Sequence, residues 1–205
     1  MARPVNANAE ETRNKILAAA SELFAAGGFE GTSVRQIANG AGVSLGMIRH
    51  YFGSKDGLYQ ACIALAYGIY KQLGSEVDSA LSAGGSPADV LESAVRNGFR
   101  YGVVHRASMK LTLWTLMESD NFRSELGDRE MLPFINRLAD TLADLLNVPR
   151  GEVALKIRTV IFLVSRYATA DHGEMAELLG QSGAGAETER ALEDHLADVT
   201  RRLFS

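Results

Sequence analysis

Between Asn8 and Ser54, helix-forming stretches are cut short at regular places by capping residues and glycines, and this pattern constrains the fold more than any other feature. Asn8 with Glu11 three positions on is a helix-start signal. Ile16, Leu17, Ala20, Leu23 and Phe24 then share one helical face until Gly27-Gly28 ends it. Ser33 and Gln36 repeat the start signal for a two-turn helix carrying Val34, Ile37 and Ala38, which Gly40-Ala41-Gly42 stops. Ser44 is placed to cap a second short helix over 45–51, and Gly53-Ser54 ends it and starts another. Helices this short are not stable alone, so they must pack on one another.

Beyond Ser54 a longer helix is expected over 55–81, with Leu58, Cys62, Leu65, Ile69 and Leu73 at spacings of three or four. A break follows at Ser82-Ala83-Gly84-Gly85-Ser86-Pro87, then helices near 87–106, 107–119, 128–147, 151–171 and 187–204. The expectation is an all-α protein of about nine helices, divided into an N-terminal domain over 1–54 and a C-terminal domain over 55–205. Its 205 residues, 46% hydrophobic with four prolines, exclude a disordered tail or a collagenous repeat. One cysteine, Cys62, allows no internal disulfide and no thiolate cluster, which fits a reducing, cytoplasmic address. The first residues, Met1-Ala2-Arg3-Pro4-Val5-Asn6, carry no apolar leader. The longest strongly apolar run, Val160-Ile161-Phe162-Leu163-Val164, is far shorter than the roughly 20 residues a membrane span needs. No membrane association is expected.

The formal net charge is −4, which offers polyanions no general attraction. The charge is uneven, however: six basic and five acidic side chains lie within residues 1–60, against fifteen and twenty beyond. Any nucleic-acid surface must be local and N-terminal. Residues 33–52 read as helix, tight turn, helix, the geometry that lays a second helix in the DNA major groove. Ile37, Ala38, Val43 and Ile48 can seal the pair, and Gly42 suits a turn with positive φ. The outward face is then Ser44, Leu45, Met47, Arg49, His50 and Tyr51, a mixture suited to base edges, thymine methyls and phosphates. Ser33, Ser44 and Ser54 start helices whose free N–H groups can hold phosphate oxygens.

Together these residues carry a resemblance. The apolar first helix, G-G-F at 27–29, T-S-V-R-Q-I-A at 32–38, A-G-V-S at 41–44 and Y-F-G-S-K at 51–55 occur in the order and spacing of the tetracycline-repressor (TetR) family's DNA-binding domain. The likeness extends over residues 12–58. It implies a homodimer that binds a palindromic, double-stranded DNA operator as a one-component transcriptional regulator, a repressor by our reading. It also implies a variable C-terminal domain that binds a small effector and releases DNA. Carried over by position, Ser33 and Arg35 meet phosphate, Ser44, Leu45, Gly46, Met47, His50 and Tyr51 form the recognition helix, and Lys55 lies near the backbone. Arg49 stands where the family commonly has an aromatic residue and is placed for a phosphate or guanine contact instead, so the resemblance implies the fold but not the operator preference.

The middle of the chain concentrates aromatic and soft side chains at Phe99, Tyr101, His105, Met109, Leu113, Trp114, Met117 and Phe122. A stripe of this kind is ordinary core or the lining of a pocket. If Trp114, Met117, Phe162 and Tyr167 converge on a cavity, its ligand is largely apolar, with a polar anchor at His105, Arg106 or Arg166. Two further stripes, Ile157, Ile161, Val164 and Ala168 (extending back to Val153) and Leu192, Leu196, Val199 and Leu203, fit intramolecular packing. The resemblance instead implies that they pair with their symmetry mates as a four-helix dimer interface. Paired recognition helices would then be set about 34–36 Å apart, and effector binding would swing the helix after Ser54 and spoil that spacing. Two alternatives remain open, an all-α small-molecule enzyme and a ligand-independent DNA-binding dimer. The first lacks a nucleophile–base pair, a phosphate loop and clustered metal ligands; His105, His172 and His195 stand alone. No cofactor or metal is implied.

Overall fold

A computed structural model describes residues 5–117 and 121–204. Among them are eleven α-helices and no strand. Helix α1 (Val5–Gly31) is interrupted at Gly28, whose φ of 68° ends the regular helix where Gly27-Gly28 predicts. The Thr32 hydroxyl closes that end by donating to the carbonyls of Leu23 (3.0 Å) and Gly28 (2.8 Å). The helix already runs at Val5, upstream of the expected start at Asn8, whose side chain lies outside the described residues.

Helix α2 (Val34–Ala41) lies against α1, and α3 (Leu45–Phe52) packs on α2 and on α4 (Lys55–Ala66), which is followed by α5 (Gly68–Ser82). The expected single helix over 55–81 is therefore two. The chain turns at Tyr67, whose ring is buried and whose hydroxyl lies 2.6 Å from Thr115 Oγ1, and the poor helix former Gly68 follows. Helices α6 (Pro87–Val104), α7 (Arg106–Met117), α8 (Asn121–Leu146), α9 (Arg150–Ala168), α10 (His172–Leu178) and α11 (Ala186–Leu203) complete the chain. The short α10 escaped the periodicity reading. It is set by Asp171, whose carboxylate accepts from the N–H groups of Gly173 (2.7 Å) and Glu174 (3.1 Å). The division of that one helix and the addition of α10 turn about nine expected helices into eleven.

The apolar core is continuous. Phe24, Ile37, Ile48 and Leu58 are fully buried, and Phe24, Phe29 and Tyr59 pack ring to ring at 5.0–5.9 Å. Helix α4 supplies Leu58, Tyr59, Cys62 and Ile63 and packs on both α1 and α7, so it straddles the division expected after Ser54. In the C-terminal half α6 lies along α11 and α9, while α8 covers the other side of α9. Ion pairs lock α6 to α11: Glu193 accepts from Arg96 (3.1 Å) and Arg100 (2.7 Å), Arg96 also reaches Asp194 (2.7 Å), and Arg201 binds Glu92. Burial pushes the Glu193 carboxyl up, but hydrogen bonds from Arg100 and Arg96 outweigh it and hold it below the ordinary carboxylate range.

Candidate nucleic-acid interface and ligand cavity

The N-terminal site is built by local chemistry. Ser33 adopts extended backbone, accepts from Gln36 N–H at 3.2 Å, and donates its own N–H to Gln36 Oε1 at 2.8 Å, a reciprocal cap that starts α2. Gly42 ends α2 in the left-handed region (φ 65°) with its N–H on the carbonyls of Ala38 and Asn39. Ser44 then accepts from Met47 N–H (3.3 Å) to start α3, and Ser54 from Gly57 N–H (3.0 Å) to start α4. A side chain at Gly57 would put its Cβ 2.2 Å from the Phe52 carbonyl oxygen, so the α3–α4 corner admits only glycine there. Sequence reasoning passed over this residue; its place three beyond a capping serine was the available signal.

With Ile37, Ala38 and Ile48 buried and Val43 half-buried, α3 turns its other side outward. Ser33, Arg35, Ser44, Leu45, Gly46, Arg49 and His50 are exposed. Met47 and Tyr51 are half-buried, and the His50 and Tyr51 rings meet edge to face at 5.3 Å. The Lys55 ammonium sits 4.2 Å above the Phe29 ring, and the Arg13 guanidinium lies 5.5 Å from the Phe52 ring, which fixes both cations near the helix starts. Each serine cap satisfies one N–H of its first turn and leaves others directed outward along the helix axis. One ridge thus presents exposed cations, hydroxyls, an apolar Leu45 and two positive helix ends.

The second feature is an apolar cavity of about 80 Å³ lined by residues of α5, α6, α7, α8, α9 and α11. Tyr70, Leu73, Gly98, Met109, Ile161 and Phe204 are among its walls. Of the residues expected to line a pocket, Met109 does so. Phe99 is buried elsewhere in the core, Leu113 is half-buried, and Trp114, Met117 and Phe162 are 49%, 67% and 41% exposed. The side chain of Phe122 lies outside the described residues. His105 stacks beside Tyr101 (4.3 Å) on the surface, Arg106 donates to the carbonyls of Thr169 (3.2 Å) and Ala170 at the end of α9, and Arg166 is exposed. The α5 and α6 wall went unread because its residues are ordinary aliphatics; Gly98 on the apolar face of α6 was the one hint of space.

The expected dimer stripes require correction. Ile157, Ile161, Val164 and Ala168 are buried within the protomer, and the first three line the cavity. Leu192 and Leu196 are likewise buried; only Val199 and Leu203 are partly exposed. The physical reason is that α9 is packed between α8 and α6, so its stronger apolar stripe serves the protomer's own core. Its outer face carries a weaker one, Leu155 and Phe162, 68% and 41% exposed, with half-buried Leu163 beside them.

Serine-capped short helices presenting an exposed second helix define a helix-turn-helix unit, joined here to a helical bundle with an apolar cavity. Residues 16–62 match the family described as bacterial regulatory proteins, tetR family. The likeness to that family lies in this N-terminal segment. It is 40% identical over 63 residues to the HTH-type transcriptional regulator HbdR of Aromatoleum sp. (strain CIB), covering 31% of this chain and 28% of that one. It is 36% identical over 102 residues to BetI of Serratia proteamaculans (strain 568), covering 48% of each. The chain thus matches less than half the length of these curated relatives. Across nearly the whole chain the fold resembles FadR of Bacillus subtilis, solved in complex with stearoyl-CoA, at TM-score 0.67 and 20% identity, covering 94% of this chain and 97% of that one. It also resembles Thermus thermophilus FadR in complex with lauroyl-CoA, at TM-score 0.59 and 22% identity, covering 93% and 92%. Among the described residues no helix is long and apolar enough to cross a membrane, and no group of three or more His, Cys, Asp or Glu could hold a metal ion.

Proposed function

We propose that the protein is a transcriptional repressor that binds a palindromic operator as a homodimer through α3 and releases it when a small, largely apolar effector enters the C-terminal cavity. The observation that carries this reading is the exposed face of α3, held between two serine-capped helix starts and sealed from behind by Ile48. Arg49 is the base or phosphate contact, with His50, Tyr51 and Leu45 beside it. Ser33, Arg35, Ser44 and Lys55 position the backbone. The dimer forms through the outer faces of α9 and α11, using Leu155, Phe162, Leu163, Val199 and Leu203, a self-complementary patch of the kind a two-fold contact needs. Such a protein works in the cytoplasm, where its operator is.

Coupling runs through a jointed lever. Helix α4 packs on the reader, turns at Tyr67, and continues as α5, whose Tyr70, Leu73 and Val77 line the cavity. An effector that spreads α5 from α9 moves Tyr67 and with it α4. Effector and operator then weaken each other's binding by the same factor. The present space is well below the roughly 300–1,000 Å³ of most ligand sites, so the effector prefers an enlarged state. Fold neighbours solved with acyl-CoA molecules support an effector bearing an apolar chain.

Gel-shift titration against the DNA upstream of the protein's own gene tests the reader. Arg49→Ala and Tyr51→Ala each weaken binding about tenfold or more with unchanged circular dichroism. Undiminished sequence preference in both variants contradicts the assignment. 4-Butylphenol serves as a probe of the cavity: it releases DNA from the wild type but not from Gly98→Leu, whose side chain fills the space.

A further inference from the structure

The cavity wall is apolar, yet buried hydroxyls gather beside one of its lining residues, Tyr70. Tyr70 lines the cavity. Ser165 follows the lining residue Val164 on α9, and Thr112 lies three residues beyond the lining residue Met109 on α7. Tyr70 is buried, and the hydroxyls beside its own are those of Ser165 and Thr112, which partly offset the burial that pushes the phenol up. Thr112 has its own acceptor, the Ser108 carbonyl at 3.2 Å. One turn further on, Thr115 hydrogen-bonds Tyr67 (2.6 Å) and the Thr112 carbonyl (2.8 Å). Ser165 is different: it is wholly buried, and its Oγ, though close to the Tyr70 hydroxyl, has no partner in good hydrogen-bond geometry. A buried hydroxyl without a partner is costly and uncommon, and beside a cavity it marks a place where a partner is missing.

We propose that Tyr70 and Ser165 form a polar anchor at the inner end of the cavity, and that the effector is an apolar molecule carrying one neutral hydroxyl or carbonyl oxygen on the end that enters first. This deepens the effector reading above and rests on it. The neutrality follows from the surroundings, because the cavity's lining residues, Leu73, Gly98, Met109, Ile161 and Val164 among them, carry no charge to match an ionised group. Ser165 gains a partner on binding, and Tyr70 gains an acceptor or donor. A site that leaves such a group unpaired with the wrong ligand discriminates strongly against the analogue lacking the oxygen. The same anchor answers a question of coupling. It joins α5 to α9 through the ligand, so the oxygen fixes the two helices that the apolar body spreads.

The test compares two probes of matched shape, 4-butylphenol and butylbenzene, binding to the full chain by calorimetry. Wild-type protein prefers the phenol. In Ser165→Ala that preference falls about tenfold, while thermal stability without ligand is unchanged or higher, because an unpaired hydroxyl has been removed. Tyr70→Phe lowers the preference in the same direction and provides the reading if Ser165→Ala does not fold. An equal preference in wild type and both variants overturns the anchor, and a buried water satisfying Ser165 would give that result. If neither probe binds while operator DNA is still bound, the cavity itself is not the effector site, a different failure from an unchanged preference.

Discussion

The two ends of this molecule are held in shape by different means. In the reader, α2, α3 and α4 each begin at a serine whose hydroxyl accepts from the first turn, and α2 and α3 each end at a glycine with positive φ. In the C-terminal domain α5, α6, α9 and α11 have no side-chain cap, and their positions depend on packing and on the ion pairs between α6 and α11. Local caps set a short helix in place without distant partners, as a surface that must match DNA requires. Packing around a space can give way to a ligand. The division of labour proposed above, reading in one half and sensing in the other, matches how each half is stabilised.

The sharpest way to break this comparison is by truncation in each half. Ile48→Ala, in the filled reader core, is expected to cost about 3–4 kcal/mol, and Ile161→Ala, already facing empty space, about 2 kcal/mol. Urea unfolding measures both, and equal losses would remove the distinction. Next in size, Glu193→Ala leaves Arg96 and Arg100 without their shared acceptor and costs about 2 kcal/mol. Because the Glu193 carboxyl is held below its ordinary 4.5, its contribution is present above that value and is lost as pH falls through the lowered one. Melting temperatures followed from neutral pH into acid should therefore fall more in wild type than in Glu193→Gln.

Smaller effects sharpen the contrast. Ser44→Ala removes the α3 cap at about 1 kcal/mol. Gly98→Ala, whose Cβ would meet Leu73 and Val164 at 3.5 and 3.9 Å, gains about 0.5–1 kcal/mol, whereas Gly102→Ala loses stability because its Cβ would lie 2.7 Å from Ala168. Least of all, Cys62 should resist alkylation near pH 8 until the protein unfolds. Burial pushes its thiol from 9.0 to about 11 against the lowering effects of Ser21 and Arg13. A thiol raised in this way favours the fold below its unfolded value and loses that advantage as pH climbs through 11.

What the sequence made legible follows the same division. Ser33, Gln36, Gly42, Ser44 and Ser54 act on neighbours within four residues, and each occupies the structural position its spacing predicts. Where a side chain answers to distant helices, spacing is not enough. The stripe through Ile157 and Ile161 fits an inner or a dimer-facing side equally, because periodicity shows that a helix has an apolar side, not which neighbour covers it. The weaker stripe through Leu155 and Phe162 could have been found by asking what remained once the first was buried. Trp114 and Met117 show the converse, since a dense apolar composition does not say that residues converge. The joint at Tyr67 depends on a hydroxyl bond to Thr115, 48 residues away, which no local pattern contains.

The central claim, that paired copies of α3 read a symmetric DNA site, is tested most directly by selecting binding sequences from a random DNA pool with the purified full chain. The account predicts enrichment of an inverted repeat whose half-sites are centred about one helical turn, or a multiple, apart, with enrichment reduced in Arg49→Ala. Recovery of no preferred sequence, or of a single unpaired site bound by one copy, would contradict it.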